Sequence, residues 1–118
     1  MDSKPLISIG IPTYNRPKGL KNVIDDFLNQ TYDNLEIIIS DNNSDNPEVQ
    51  MLGEYYSSKY EYIRYFRQKE NIGMYRNFEF VRDISNGKYF SWASDDDRFN
   101  REFIKKTYDI ISKDKSIV

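Results

Sequence analysis

The sequence predicts an α/β fold, a three-layer sandwich around a mostly parallel sheet, on two observations. Short β-rich runs alternate with stretches of helical apolar spacing, and strand-helix-strand units of this length form parallel crossovers in one layered domain. Three consecutive acids, Asp95, Asp96 and Asp97, also close one of the β-rich runs, at the carboxyl end where open parallel sheets bind ligands.

Leu6 to Ile11 is the first such run, closed by Pro12, and behind it Leu20, Val23, Ile24, Phe27 and Leu28 recur with the period of one helix face. Leu35 to Ser40 reads as the second strand. A polar loop from Asp41 to Asn46 then leads to Pro47, which suits the first helical position behind an Asn46 cap. Val49, Leu52, Tyr55 and Tyr56 form the apolar stripe expected of that helix. Tyr62 to Phe66 is the third strand, and Met74, Phe78, Val81 and Ile84 mark a helix that stops near Asn86-Gly87. Lys88 to Ala93 is the fourth strand. Phe103, Ile104, Thr107 and Ile111 suggest a last helix, and Ser116 to Val118 reads as a fifth strand cut at its start.

Composition narrows the chemistry. At 118 residues the chain is one domain's worth or a piece of a larger one, and 10 Tyr and 7 Phe supply large buried areas that compensate a modest apolar fraction of 38%. Seventeen basic against nineteen acidic residues leave a net charge of -2, which gives no general attraction to nucleic acid or anionic membrane. With no Cys and no His, disulfides, thiolate zinc sites and imidazole chemistry are excluded. No signal-peptide pattern opens the chain, and no apolar stretch approaches the roughly 18 residues that cross a bilayer. A cytoplasmic protein is expected, with membrane association left to further parts of a longer protein.

The chemistry-bearing residues sit where the strands end. Pro12-Thr13-Tyr14-Asn15-Arg16, Asp41 to Asp45, Glu70 to Gly73, and Ser94 to Asp97 follow the four strands in turn and are expected to share one rim. Clustered carboxylates repel one another, so they either stay in water or hold a divalent cation. Mg2+ and Mn2+ take oxygen ligands, often one or two carboxylates plus the phosphates of a substrate. Taken singly, each loop has a plainer reading: a solvated acidic loop, Asx-turn chemistry, or a tight turn at a helix start.

Together the motifs Ile9 to Arg16, Gln30-Thr-Tyr with Glu36 to Ser44, Glu70-Asn-Ile-Gly73 and Trp92 to Asp97 resemble family two glycosyltransferases, in order and spacing, over nearly the whole chain. The resemblance implies the GT-A fold, a Rossmann-like three-layer sandwich, and the nucleotide-sugar-binding part of an inverting, metal-dependent transferase. It implies that Pro12, Thr13, Tyr14 and Asn15 line the base pocket and that Asp41 accepts a hydrogen bond from the base imide N–H. An ionised carboxylate is acceptor-only, which suits uracil or thymine and not cytosine. It places Asn71, Gly73, Arg76 and Asn77 beside the nucleotide, and Asp95, Asp96 and Asp97 at the ribose and at a Mn2+ or Mg2+ ion. Either Asp95 with Asp96 or Asp95 with Asp97 fits the spacing of the working pair.

The reaction implied moves a sugar from a UDP- or dTDP-sugar donor to an acceptor hydroxyl on a sugar, a lipid-linked acceptor or a polysaccharide. In the family a carboxylate base lies downstream of the acids, here expected beyond Val118, with Asp109 and Asp114 poor substitutes. A sugar-nucleotide nucleotidyltransferase is the alternative enzyme, weakened by a first loop with the single glycine Gly19. A non-catalytic nucleotide-binding module is the alternative without chemistry.

Overall fold

The computed structural model describes residues 4–113. Its elements alternate without exception: β1 (Ile7–Thr13), α1 (Pro17–Leu28), β2 (Leu35–Asp41), α2 (Pro47–Lys59), β3 (Ile63–Arg67), α3 (Met74–Asp83), β4 (Tyr89–Trp92) and α4 (Phe103–Lys113). The strands run in the order β3-β2-β1-β4 and every pairing is parallel, so the mostly parallel sheet expected is all-parallel over the described residues. The fifth strand read at Ser116 to Val118 lies outside them.

All seven residues of β1 and of β2 are buried, as strands covered by helices on both faces must be. On one face Ile7, Ile9, Ile11, Leu35, Ile37 and Ile39 pack with Leu20, Val23, Ile24 and Phe27 of α1, with Val49 and Tyr56 of α2, and with Ile104 of α4. Helix α3 covers the other face, where a side chain at Gly10 would meet Val81 Cγ2 at 2.6 Å and the Phe90 ring at 2.7 Å. Glycine there lets α3 lie close to the sheet.

Three details differ from the sequence reading. Pro12 and Thr13 are paired with Ser40 and Asp41 inside the sheet, not in a loop. The Gly10 carbonyl accepts from Ala93 and the Thr13 carbonyl from Asn42, so Pro12 faces the side on which β4 pairing has already ended at Trp92, and its missing N–H breaks no ladder bond. Tyr55 is 54% exposed and leaves the α2 stripe. Gly53 takes the inward position, because the Tyr65 ring packs where a side chain would stand. Met74, placed on the α3 stripe, is 65% exposed. The Asn46 cap forms as expected, its side chain accepting from Glu48 N at 2.9 Å. Among the described residues no helix is long and apolar enough to cross a membrane.

At the amino end of the sheet a buried carboxylate ties the layers together. Glu36 is 7% exposed. Its Oε1 accepts from Ser8 Oγ at 2.7 Å and Asn86 N at 2.9 Å, and its Oε2 accepts from Asn86 Nδ2 at 2.8 Å and Arg64 Nη1 at 3.2 Å. Burial pushes the Glu36 carboxyl up, but the donors from Asn86, Ser8 and Arg64 outweigh it and hold it below the usual range. A depressed carboxylate contributes stability above its unfolded pKa and loses it as pH falls through the folded value. Stability measured by urea denaturation is therefore expected to fall below pH of about 4.3. Glu36→Gln is expected to flatten that fall and to cost about 1–3 kcal/mol at neutral pH; an unchanged acid profile contradicts the role given to Glu36.

Candidate functional site

The parallel sheet delivers all four carboxyl ends to one rim, and side chains lace the loops there into one wall. Asn15, held in the left-handed region at φ 54, donates its amide to Ser44 Oγ at 2.8 Å, and its Oδ1 accepts from Asn46 N at 3.0 Å. Asn42 Nδ2 donates to Asn71 Oδ1 at 3.0 Å, and Asn42 Oδ1 accepts from Ile72 N at 2.9 Å. Thr13 Oγ1 donates to Asp95 Oδ2 at 2.9 Å. The first loop is thus tied to the second and fourth, and the second to the third.

These loops border an open cavity of about 310 Å3. Its lining comes from every strand end: Pro12, Thr13, Tyr14 and Arg16 after or at the end of β1, Asn42 after β2, Asn71 after β3, and Ser94, Asp95 and Asp96 after β4, with Met74, Asn77 and Phe78 of α3 closing one side. Asn77 is also structural, since its Oδ1 accepts from Ser40 Oγ at 2.6 Å and its Nδ2 donates to the Ser40 carbonyl at 3.0 Å.

Asp41 lies beneath this wall with no exposed surface. Its Oδ1 accepts from Ser44 N at 2.8 Å, and its Oδ2 from Tyr65 OH at 2.8 Å and Arg67 Nη1 at 3.0 Å. Arg67 also donates to Asn43 Oδ1 at 2.9 Å and to the Ser44 carbonyl at 3.1 Å, so the residue pair shapes the whole 42–44 turn. Burial and the Asp41 carboxylate raise the Tyr65 hydroxyl well above its ordinary value, keeping it a donor.

The acid loop is carried by α1. Arg98 grips Asp26 through two bonds of 2.9 Å, and Phe99 N adds a third at 2.8 Å. The Arg98 hydrogen bond is the main reason that the Asp26 carboxyl lies below its ordinary range. Gln30 holds the far end, donating to the Asn100 carbonyl and accepting from Ile104 N. At the near end Gly19 abuts the Asp95 carbonyl, where any side chain would collide.

Asp95 and Asp96 enter the cavity and Asp97 does not; Asp97 is exposed and its amide closes a turn on the Ser94 carbonyl. The Arg16 guanidinium spans the pair, with Nε 3.3 Å from Asp95 Oδ1 and Nη2 against Asp96 Oδ1. Burial raises the Asp95 carboxyl above its ordinary value despite the Thr13 hydrogen bond and the Arg16 charge, and Asp96 adds to the rise. Among the described residues no three acids converge as a ready-made metal cage. Two oxygen-bearing side chains already gathered round a cation nonetheless suit a hard divalent ion that completes its shell with water and substrate oxygens.

Of the residues singled out from the sequence, Pro12, Thr13, Tyr14, Asn71, Asn77, Asp95 and Asp96 meet at the cavity. Asn15 braces it from behind and Asp41 from below. Gly73, Arg76 and Asp97 do not line it: Gly73 caps α3 at φ 89, and Arg76 sits on the exposed side of that helix. Arg16, Asn42 and Ser94 belong to the strand-end loops picked out in the sequence but were given no role of their own there, and Met74 and Phe78, which also line the cavity, were read only as apolar positions of α3.

The layers, the all-parallel sheet and the strand-end cavity are those of a Rossmann-like nucleotide-binding domain, and its superposition on solved glycosyltransferases makes the fold GT-A. The profile of Glycosyl transferase family 2 matches residues 8–118, and the chain belongs to that family. A Rickettsia felis protein described as an uncharacterized glycosyltransferase is 38% identical over 110 residues, covering 92% of this chain and 18% of that protein. Chondroitin synthase of Escherichia coli is 32% identical over 114 residues, covering 96% of this chain and 16% of the enzyme. Among solved structures, S. aureus TarS 1-349 in complex with UDP-GlcNAc superposes with a TM-score of 0.80 at 21% identity, over 91% of this chain and 31% of that one. The mannosyltransferase PcManGT from Pyrobaculum calidifontis, in complex with GDP-Man and Mn2+, gives 0.74 at 17% identity, over 84% and 30%. The chain thus spans about a sixth to a third of the length of these proteins.

The Gly19 contact is testable. Gly19→Ala is expected to lower stability by about 1–3 kcal/mol through the clash with Asp95, although alanine favours the helix by about 1 kcal/mol. Urea denaturation measures the balance, and a net gain contradicts the contact.

Proposed function

We propose that the cavity binds the nucleoside diphosphate of a sugar donor, a UDP-sugar first, for direct displacement at the anomeric carbon by an acceptor hydroxyl. The observation that carries this reading is the pairing of Asp95 and Asp96 around one cation at the mouth of a cavity built from all four strand ends. In this reading Asp95 and Asp96 would hold Mn2+ or Mg2+, and Asp97 takes no part. The bound ion supplies positive charge that stabilises the leaving diphosphate.

The chain's own residues divide the remaining work. Tyr14, 42% exposed at the cavity, offers an aromatic face to the base. Asp41 carries one donor on Oδ1 and two on Oδ2, which leaves acceptor capacity on Oδ1 for an imide N–H. Because Asp41 has no exposed surface, this role requires the 42–44 turn to shift as the base seats. Asn42 and Asn71 border the same space, and Asn71 Nδ2, which their hydrogen bonds with the loops leave over, is a donor for ribose or base. Asp109, on α4, does not line the cavity, and the base that deprotonates the acceptor is assigned to a region of the longer relatives that this chain does not match. Polysaccharide or glycoconjugate synthesis is the setting that chondroitin synthase suggests.

Calorimetric titration of UDP tests the metal bridge. Affinity is expected to drop at least tenfold in EDTA, and likewise for Asp95→Asn in Mn2+, since clustered acids and a diphosphate repel without a cation between them. Equal affinities across all conditions contradict it. A second titration tests the base: CDP, lacking the imide donor, is expected to bind more weakly by about 1.5–3 kcal/mol, the worth of a hydrogen bond to a charged group. CDP binding as tightly as UDP would leave Asp41 only its structural role in the turn.

A further inference from the structure

Arg16 is the only basic residue among those described that lines the cavity, and it is not engaged with solvent alone: it stands on the two carboxylates that the metal reading assigns to the cation. We propose that Arg16 keeps the place of the metal in the nucleotide-free site and moves to the diphosphate when metal and nucleotide enter. The proposal rests on the reading that Asp95 and Asp96 hold the cation.

The geometry sets the two occupants in competition. A guanidinium nitrogen faces Asp95 Oδ1, and another faces Asp96 Oδ1, so a positive group already stands on the oxygens that a divalent ion would take. Asp95 Oδ2 is committed as well, accepting from Thr13 Oγ1 at 2.9 Å. A divalent ion on these oxygens would sit within a few ångströms of the guanidinium, and two cations that close repel one another. Arg16 cannot withdraw by losing its proton, because arginine stays charged in proteins. It has to move.

Its backbone is pinned while its side chain is free. The Arg16 carbonyl accepts the first bond of α1 from Leu20 N at 2.9 Å. Pro17 follows with its fixed φ, and Asn15 before it is tied at both amide and side chain to the second loop. The Arg16 side chain is 54% exposed, whereas that of Asp95 is at 10%. Displacement therefore rotates the side chain within the cavity and leaves the loop in place. A diphosphate arriving with the metal presents the oxygens that a planar guanidinium matches through paired N–H donors. The residue would thus compete with the metal alone and assist the metal with nucleotide.

That pair of opposite effects distinguishes the proposal from a merely structural ion pair, whose loss would loosen the acid loop and weaken both ligands. The test is two calorimetric titrations of the wild-type chain and Arg16→Gln: Mn2+ without nucleotide, then UDP at saturating Mn2+. The variant is expected to bind Mn2+ alone about three- to tenfold more tightly, the scale of a partly exposed ion pair removed from competition. It is expected to bind UDP in Mn2+ about tenfold more weakly, the loss of one charge-assisted contact to phosphate. Mn2+ affinity that is unchanged or weaker in the variant overturns the proposal while leaving the metal reading intact, and so does an unchanged UDP affinity. A wild-type chain that binds no Mn2+, with or without UDP, overturns both readings.

Discussion

The structure depends on one constraint: β1 and β2 have no face that water touches. Seven consecutive buried residues in each strand require helices on both sides, and strands joined through helices run parallel. Parallel strands end together. The cavity is a consequence of that geometry, since every carboxyl end reaches the same rim and no strand returns the other way among the described residues. Most of the residues that give the site its chemistry stand at a strand's carboxyl end or a few positions past it.

Polar lacing then makes four loops into one wall. Asn15, Asn42 and Asn71 each satisfy backbone or side-chain groups of a neighbouring loop, which fixes the rim without apolar packing and leaves amide surface facing the cavity. Asp41 with Arg67 and Tyr65 performs the same service from below. Asp95 stands differently. Its carboxyl is raised by burial, and Gly19 allows its backbone to approach α1 more closely than any other residue would permit. A carboxylate kept partly desolvated beside a second acid is strained until a cation sits with it, and Arg16 supplies one.

Most of the fold was legible in the sequence because it is written in local periodicity. Helices α1 to α4 follow their apolar spacing, and each strand is a short β-rich run. What was misjudged depends on partners distant in sequence. Pro12 and Thr13 carry turn chemistry and were read as loop, yet β2 continues alongside them. Gly53 faces inward because of Tyr65, which no count of apolar residues on α2 reveals. Within the site, the acids and the Pro-Thr-Tyr segment were recognisable by type. Arg76 was chosen beside Asn77, but neighbours on a helix differ by about 100°, so when Asn77 points inward Arg76 faces out. The grip of Arg98 on Asp26 and the approach of Asp95 to Gly19 span most of the chain and leave no local pattern.

The central claim is that the four strand ends form a single donor site with a cation between the Asp95-Asp96 pair and a diphosphate. Paramagnetic broadening of the amide resonances by trace Mn2+ in the presence of UDP tests it most directly, because the effect falls steeply with distance from the ion. The account predicts that Thr13, Arg16, Ser94, Asp95 and Asp96 broaden first, followed by Asn42 and Asn71, while Glu36, Asn86 and Tyr108 at the far side of the sheet stay sharp. Broadening centred on another acidic cluster, or spread evenly over the surface, would contradict it.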